Sequence, residues 1–222
     1  MTLRALSLLE TRVLGVLIEK AATVPDSYPL SLNSLTLGCN QKTARDPVLA
    51  AAEADVQQAV DDLKRLHLVF EASGSRVTRY EHNLGRALAL PSQSVALLAV
   101  LMLRGPQTVS ELRANSERLH KFADLSSVEA FLDELAERSV EKGGPLVFRL
   151  PRAPGAREPR WAQLLAGPVD VSAMPVAGDA DEVVALGEVA ALKANQALMR
   201  TELNELRAQV ERLYVELGVS RD

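Results

Sequence analysis

The tripeptide Leu-Val-Phe occurs twice, at residues 68–70 and 146–148. Each copy follows a short amphipathic segment. Each opens a stretch of hairpin character that closes on an aromatic after arginine-bearing sequence, Tyr80 in the first and Trp161 in the second. The same strand start at the same place in two helix-rich stretches restricts the chain to a duplicated unit of helix, helix, helix and hairpin. That is the element order of a winged helix, a fold used mostly to bind nucleic acid and sometimes protein.

In the first unit, Leu9, Val13, Leu14, Leu17 and Ile18 recur at helical spacing, so residues 6–22 read as a helix that Pro25 and Pro29 stop. Ser31 is placed to cap a short second helix with Leu32, Leu35 and Leu37 as its apolar residues, ended by Gly38 and the polar run 40–45. A third helix is predicted over 53–67, with Val56, Val60, Leu63 and Leu66 as its stripe and Glu53 and Asp55 suited to its first turn. The hairpin runs from 68 to 82 and turns at Ser73-Gly74-Ser75.

The second unit repeats this order. Ser92 is read as the cap of a helix through Arg104, with Leu97, Leu98, Leu101 and Met102 inward, broken by Gly105-Pro106. Thr108-Val109-Ser110-Glu111 has capping-box spacing. A third helix over 126–139 turns Val128, Phe131, Leu132 and Leu135 inward, and strands at 146–150 and 160–164 flank a proline-rich loop. Val56 corresponds to Val128, Leu63 to Leu135 and Leu68 to Leu146, so order is kept while loop lengths drift.

Residues 168–180 read as a linker, with Pro168, Pro175 and Gly178. A long helix over 181–218 follows. Its heptads place Val189, Leu203, Val210 and Leu217 at a, with Leu192, Met199, Leu206 and Leu213 at d. In a parallel pair Glu188 meets Lys193 and Glu202 meets Arg207. The stripe serves either a homodimeric coiled coil or packing onto a globular domain. The expected class is therefore mainly α with small β-hairpins (α+β): winged-helix domains at 1–88 and 89–167, then a coiled-coil-like helix.

The net charge of −4 argues at first against nucleic acid. Its distribution changes that reading, because residues 169–222 carry five basic and ten acidic side chains while residues 1–90 balance ten against ten. A neutral domain binds DNA only where its positive charge gathers on one face. Cys39 is the only cysteine, which excludes an intrachain disulfide and fits a reducing cytoplasm. No segment has the ~20 uninterrupted apolar residues of a membrane span, and residues 1–4 lead directly into the first helix without the pattern of a signal peptide.

Longer segments stand out in both units. In the first unit these are Arg12-Val13-Leu14-Gly15 with Glu19-Lys20, Tyr28-Pro29-Leu30-Ser31-Leu32-Asn33, Cys39-Asn40-Gln41-Lys42 and Arg45-Asp46-Pro47-Val48. In the second they are Leu103-Arg104-Gly105-Pro106-Gln107-Thr108, Glu111-Leu112-Arg113 and Leu150-Pro151-Arg152 leading to Pro154-Gly155 and Arg157-Glu158. Together they resemble the YceH family of uncharacterised bacterial proteins. The resemblance spans about residues 6–165, and Ala44, Ser110 and Trp161 depart from it. It implies tandem winged-helix domains and supplies no function.

Catalytic patterns are lacking. His67, His82 and His120 lie far apart with no metal-ligand partner at helical spacing, and no phosphate-binding glycine loop or nucleophile elbow occurs. Cys39 reads as a small, partly buried residue rather than a nucleophile. The chain is thus expected to be no enzyme and to need no metal or cofactor.

The nucleic-acid candidates are Lys42, Thr43 and Arg45 ahead of helix three, which either grip phosphates or hold an irregular loop; Gln57 and Gln58 on helix three; Arg76 and Arg79 on the first wing; and Arg149, Arg152, Arg157 and Arg160 on the second, opposed only by Glu158. Against DNA stand Asp55, Asp61 and Asp62, and Glu129, Asp133, Glu134 and Glu137 on the third helices. The expectation is a cytoplasmic, dimeric DNA-binding protein or transcriptional regulator. The alternative is a non-catalytic protein-interaction scaffold, by analogy with winged-helix subunits of chromosome-condensing complexes.

Overall fold

The computed structural model describes residues 3–72, 77–152 and 155–168. The fold is α+β, seven helices with two small antiparallel sheets among the described residues.

The first half opens on α1 (Leu8–Thr23). The Ser7 hydroxyl accepts from the Glu10 amide at 3.1 Å and the Glu10 carboxylate accepts from the Ser7 amide at 2.6 Å, a reciprocal cap that fixes where the helix starts. The short strand β1 (Leu30–Ser31) leads into α2 (Leu32–Cys39), which Ser31 caps, as the sequence predicts. Two readings of this helix are corrected. Gly38 does not end α2 but lies inside it, because a Cβ there would sit 2.6 Å from Val16 Cγ1 on α1. Leu37 is not a core residue: it is 67% exposed, whereas Leu35 is fully buried.

Helix α3 (Glu53–Arg65) has Val56, Val60 and Leu63 buried along one stripe. Strands β2 (Val69–Ala72) and β3 (Arg79–His82) pair antiparallel, and β1 adds to the far side of β3, giving the order β1-β3-β2. The β1 pairing, Leu30 opposite Tyr80, was not foreseen: two residues after a proline carry no strand periodicity.

A four-residue helix α4 (Leu84–Ala87) joins the halves. In the second half come α5 (Ser92–Arg104), α6 (Val109–Ser116), α7 (Leu125–Ala136), β4 (Val147–Arg149) and β5 (Trp161–Gln163). Ser92 is the first residue of α5 and not its cap, a position held by Pro91. Thr108 and Glu111 form the expected capping box on α6. Asp124 caps α7 and moves its start to Leu125.

Several backbone hydrogen bonds recur at equivalent places in the two halves. The Leu68 amide donates to the Leu63 carbonyl and the Leu146 amide to that of Leu135. The Leu68 and Leu146 carbonyls accept from Asn83 and Leu164 respectively. In both copies of Leu-Val-Phe the leucine and valine are buried, while the phenylalanine is 40% exposed at Phe70 and 42% at Phe148. Gln107 bridges Trp161 as Leu30 pairs with Tyr80, so the segment between the first two helices meets the aromatic of the last strand in each half.

The two halves pack as one compact unit with a continuous apolar core. Helix α5 is buried at every position from Ser94 to Leu103 because it lies against α1 as well as α6 and α7. Gly15 permits the close approach: a Cβ there would stand 2.9 Å from Leu103 Cγ. The Leu6 amide donates to the Leu165 carbonyl and the Asp46 amide to that of Leu103, each at 2.8 Å. Among the described residues no helix is long and apolar enough to cross a membrane. The linker beyond Pro168 and the heptad residues Val189, Leu192, Met199, Leu203, Leu206, Val210, Leu213 and Leu217 lie outside the described residues.

Candidate nucleic-acid interface

The loop between α2 and α3 is held from inside by two arginines. Arg12, fully buried on α1, donates to the carbonyls of Cys39 at 3.0 Å and Pro47 at 2.6 Å. Burial, and secondarily the charge of Arg45, lowers its pKa. Asn40 closes the loop on itself, donating to the Ala51 carbonyl at 2.9 Å and accepting from the Ala51 amide at 2.8 Å.

Arg45 is the second anchor. Its Nε donates to the Gly38 carbonyl, its Nη1 to Glu19 Oε1 and the Ala44 carbonyl, and its Nη2 to Glu19 Oε2 and Gln41 Oε1. All five guanidinium N–H groups are thereby used. The phosphate-gripping reading of Arg45 is corrected: its side chain is fully enclosed and the loop consumes it. Lys42 and Thr43, its neighbours, are exposed and have no ion pair or hydrogen bond among the described residues.

Helix α3 offers duplex DNA little. Gln57 is half-buried and accepts from the Tyr80 hydroxyl at 3.1 Å, so its side chain braces the sheet. Gln58 is exposed and donates to Asp62 at 3.1 Å. The basic residues of the last turn are neutralised locally, Lys64 by Glu71 and Asp61, and Arg65 by Asp62. On the first hairpin, Arg79 donates to the Pro29 carbonyl at 2.7 Å and clasps the end of β1, while Arg76 lies outside the described residues.

The second hairpin is different. Arg149, Arg152, Arg157 and Arg160 are all exposed. The Arg149 guanidinium carbon stands 5.9 Å from the Trp161 ring centroid, a cation–π contact of about 0.5–1 kcal/mol at an exposed site. Arg160 donates to the Pro106 carbonyl at 3.0 Å and pairs with Glu111 at 3.3 Å, the latter a half-exposed ion pair of about 0–1 kcal/mol. Arg152 and Arg157 have no partner among the described residues. Glu158, the opposing carboxylate, stands 3.3 Å from the Ser110 hydroxyl. The hairpin thus presents four exposed cations, of which Arg149 and Arg160 are engaged by neighbouring groups.

Sequence reasoning passed over Arg118 and Lys121. Both are exposed in the loop between α6 and α7, as Lys42 is in the loop between α2 and α3. The repeat itself was the available signal. Helix α7 keeps Glu129, Asp133 and Glu134 exposed, as is Glu137 just past its end, with no cation paired to them among the described residues. No cluster of three or more potential metal ligands occurs among the described residues.

A family described as protein of unknown function, DUF480, matches residues 6–156. A UPF0502 protein of Leptothrix cholodnii is 60% identical over 222 residues, 99% of this chain and 98% of that one. UPF0502 protein Mpe_A1449 of Methylibium petroleiphilum is 64% identical over 218 residues, 98% of this chain and 92% of that one. A UPF0502 protein of Paraburkholderia phytofirmans is 60% identical over 218 residues, again 98% and 92%. The similarity runs nearly the whole length of this chain, the residues beyond 168 included.

Proposed function

The chain belongs to the DUF480 family, the bacterial UPF0502 or YceH-like proteins, and from the geometry of its second hairpin we propose that it is a non-catalytic tandem winged-helix protein that binds duplex DNA. The observation that carries this is the row of Arg149, Arg152, Arg157 and Arg160 on one hairpin, which itself bears one carboxylate, Glu158, with Glu111 of α6 paired to Arg160. The winged-helix assignment is supported by the order α1-β1-α2-α3-β2-β3, the sheet order β1-β3-β2, and its echo in the second half.

The mode of binding follows from which groups are free. Helix α3 is internally neutralised and α7 is acidic, so base reading through the major groove is disfavoured. Arginines on a hairpin track phosphates or enter a minor groove, and Lys42, Arg118 and Lys121 add positive charge at the loops before the third helices. The protein therefore recognises the DNA backbone and shape more than sequence. The heptads of residues 189–217 pair two copies, which doubles the number of arginine hairpins along one duplex.

Mobility shifts of the full chain on random duplex at low salt test the proposal. Binding with little sequence preference is expected, and its absence at the lowest salt rejects it. The exposed acidic face of α7 favours a second reading, a scaffold that docks a basic protein surface. Replacing Glu129, Asp133, Glu134 and Glu137 with glutamine then removes partners captured from a nuclease-treated lysate, while DNA affinity rises or stays constant.

A further inference from the structure

We propose that a cleft between the two halves binds a small organic carboxylate, one negatively charged head on an apolar body. The cleft measures about 480 Å³, within the range of small-molecule pockets. Its apolar wall comes from Leu66 and Leu68 at the end of α3, Phe70 on β2 and Leu88 after α4. Its polar rim holds Arg86, Arg138 and Lys142 against one carboxylate, Glu141. An excess of cations over an apolar floor is the complement of an amphipathic anion.

Arg138 defines where the head sits. Its Nη2 donates to the Leu88 carbonyl at 2.5 Å, which fixes the guanidinium at the junction of the halves. Its Nη1 is buried and has no hydrogen-bond partner. No carboxylate lies within ion-pair distance among the described residues, and burial lowers its pKa. A buried guanidinium nitrogen without an acceptor is costly, and a carboxylate in the cleft supplies one with a charge-assisted bond once the side chain turns Nη1 toward it.

The backbone around the cleft is independently unusual. Of the three non-glycine residues with positive φ among the described residues, His67 at 58° and Ala89 at 51° both line it. Each follows the end of a helix, α3 and α4, in the same arrangement. Leu68 donates to Leu63 and His67 to Lys64; Leu90 donates to Gly85 and Ala89 to Arg86. Such helix ends normally take glycine. Positive φ at a non-glycine residue is strained, such strain concentrates at functional sites, and both of these residues lie on the cleft wall.

Titration calorimetry of the full chain with octanoate, octylammonium and acetate tests the assignment. Octanoate is expected to bind, octylammonium not to bind, and acetate to bind at least tenfold more weakly than octanoate because it lacks the apolar body. Arg138→Gln is expected to weaken octanoate at least tenfold with an unchanged circular dichroism spectrum. Should that variant fail to fold, the exposed pair Arg86→Gln and Lys142→Gln carries the test, with an expected severalfold loss. Equal binding of octanoate and octylammonium, no octanoate binding at millimolar concentration, or unaltered affinity in the variants overturns the proposal. The result does not depend on whether duplex DNA is bound.

Discussion

Arg45 and Glu19 form a two-pronged ion pair, with Nη1 3.1 Å from Oε1 and Nη2 2.6 Å from Oε2, at a site where the arginine side chain is wholly enclosed. The pair ties the α2–α3 loop to α1. Breaking a buried pair by removing one partner leaves the other charge uncompensated and costs about 3–5 kcal/mol. Arg45→Ala is therefore expected to lower stability by about that amount in urea unfolding, with loss of the loop's order.

The same pair gives an acid dependence. Burial opposes ionisation of Glu19, but hydrogen bonds and charge from Arg45, with help from Lys20, outweigh it and hold the carboxyl below its ordinary 4.5. A depressed carboxylate contributes stability that is present above the unfolded pKa and lost as pH falls through the folded one. Urea midpoints are expected to fall as pH drops below about 4.5, and Glu19→Gln to show a shallower fall over that range. An identical acid profile in the two proteins contradicts the account.

Two glycines mark contacts that admit no side chain. Gly38→Ala forces a methyl to 2.6 Å from Val16 Cγ1, and Gly15→Ala to 2.9 Å from Leu103 Cγ. Overpacking of this kind costs about 1–3 kcal/mol. The Gly38 change is expected to cost more, since Val16 is β-branched in a helix and has little rotamer freedom. Val16→Ala is expected to recover part of the loss in a double-mutant cycle.

Cys39 is fully buried on α2, and burial pushes its thiol pKa up to about 12, the nearby charges of Arg12 and Arg45 being too weak to reverse that. Thiolate is the reactive form. Labelling with iodoacetamide at pH 8 is expected to be negligible in the folded protein and complete in urea. Rapid labelling of the native protein contradicts this placement.

Much of the fold was legible because its signals are local. The Thr108–Glu111 cap, the Ser31 cap and the stripes of Val56, Val60 and Leu63, and of Val128, Leu132 and Leu135, depend on residues three or four apart. What was missed depends on residues far apart. The roles of Arg45 and Arg79 are set by Glu19 and Pro29, 26 and 50 residues away, so both read as surface cations in sequence. Helix α5 looked amphipathic although its apolar residues surround it, because its second buried face meets α1 of the other half. The interface candidates were legible as residue types, but which arginines are free follows only from the packing.

The arginine hairpin is tested most directly by fluorescence anisotropy of the full chain on labelled random duplex from 50 to about 200 mM salt, the range over which phosphate contacts dominate. Each phosphate contact contributes about −0.9 to the slope of log K against log salt. Arg152→Ala with Arg157→Ala is expected to weaken binding on all sequences alike and to make the slope shallower by about 1.8 per protomer. An unchanged slope in that variant, or no binding by the unaltered protein at 50 mM salt or about that concentration, contradicts the assignment of the second hairpin as the DNA contact.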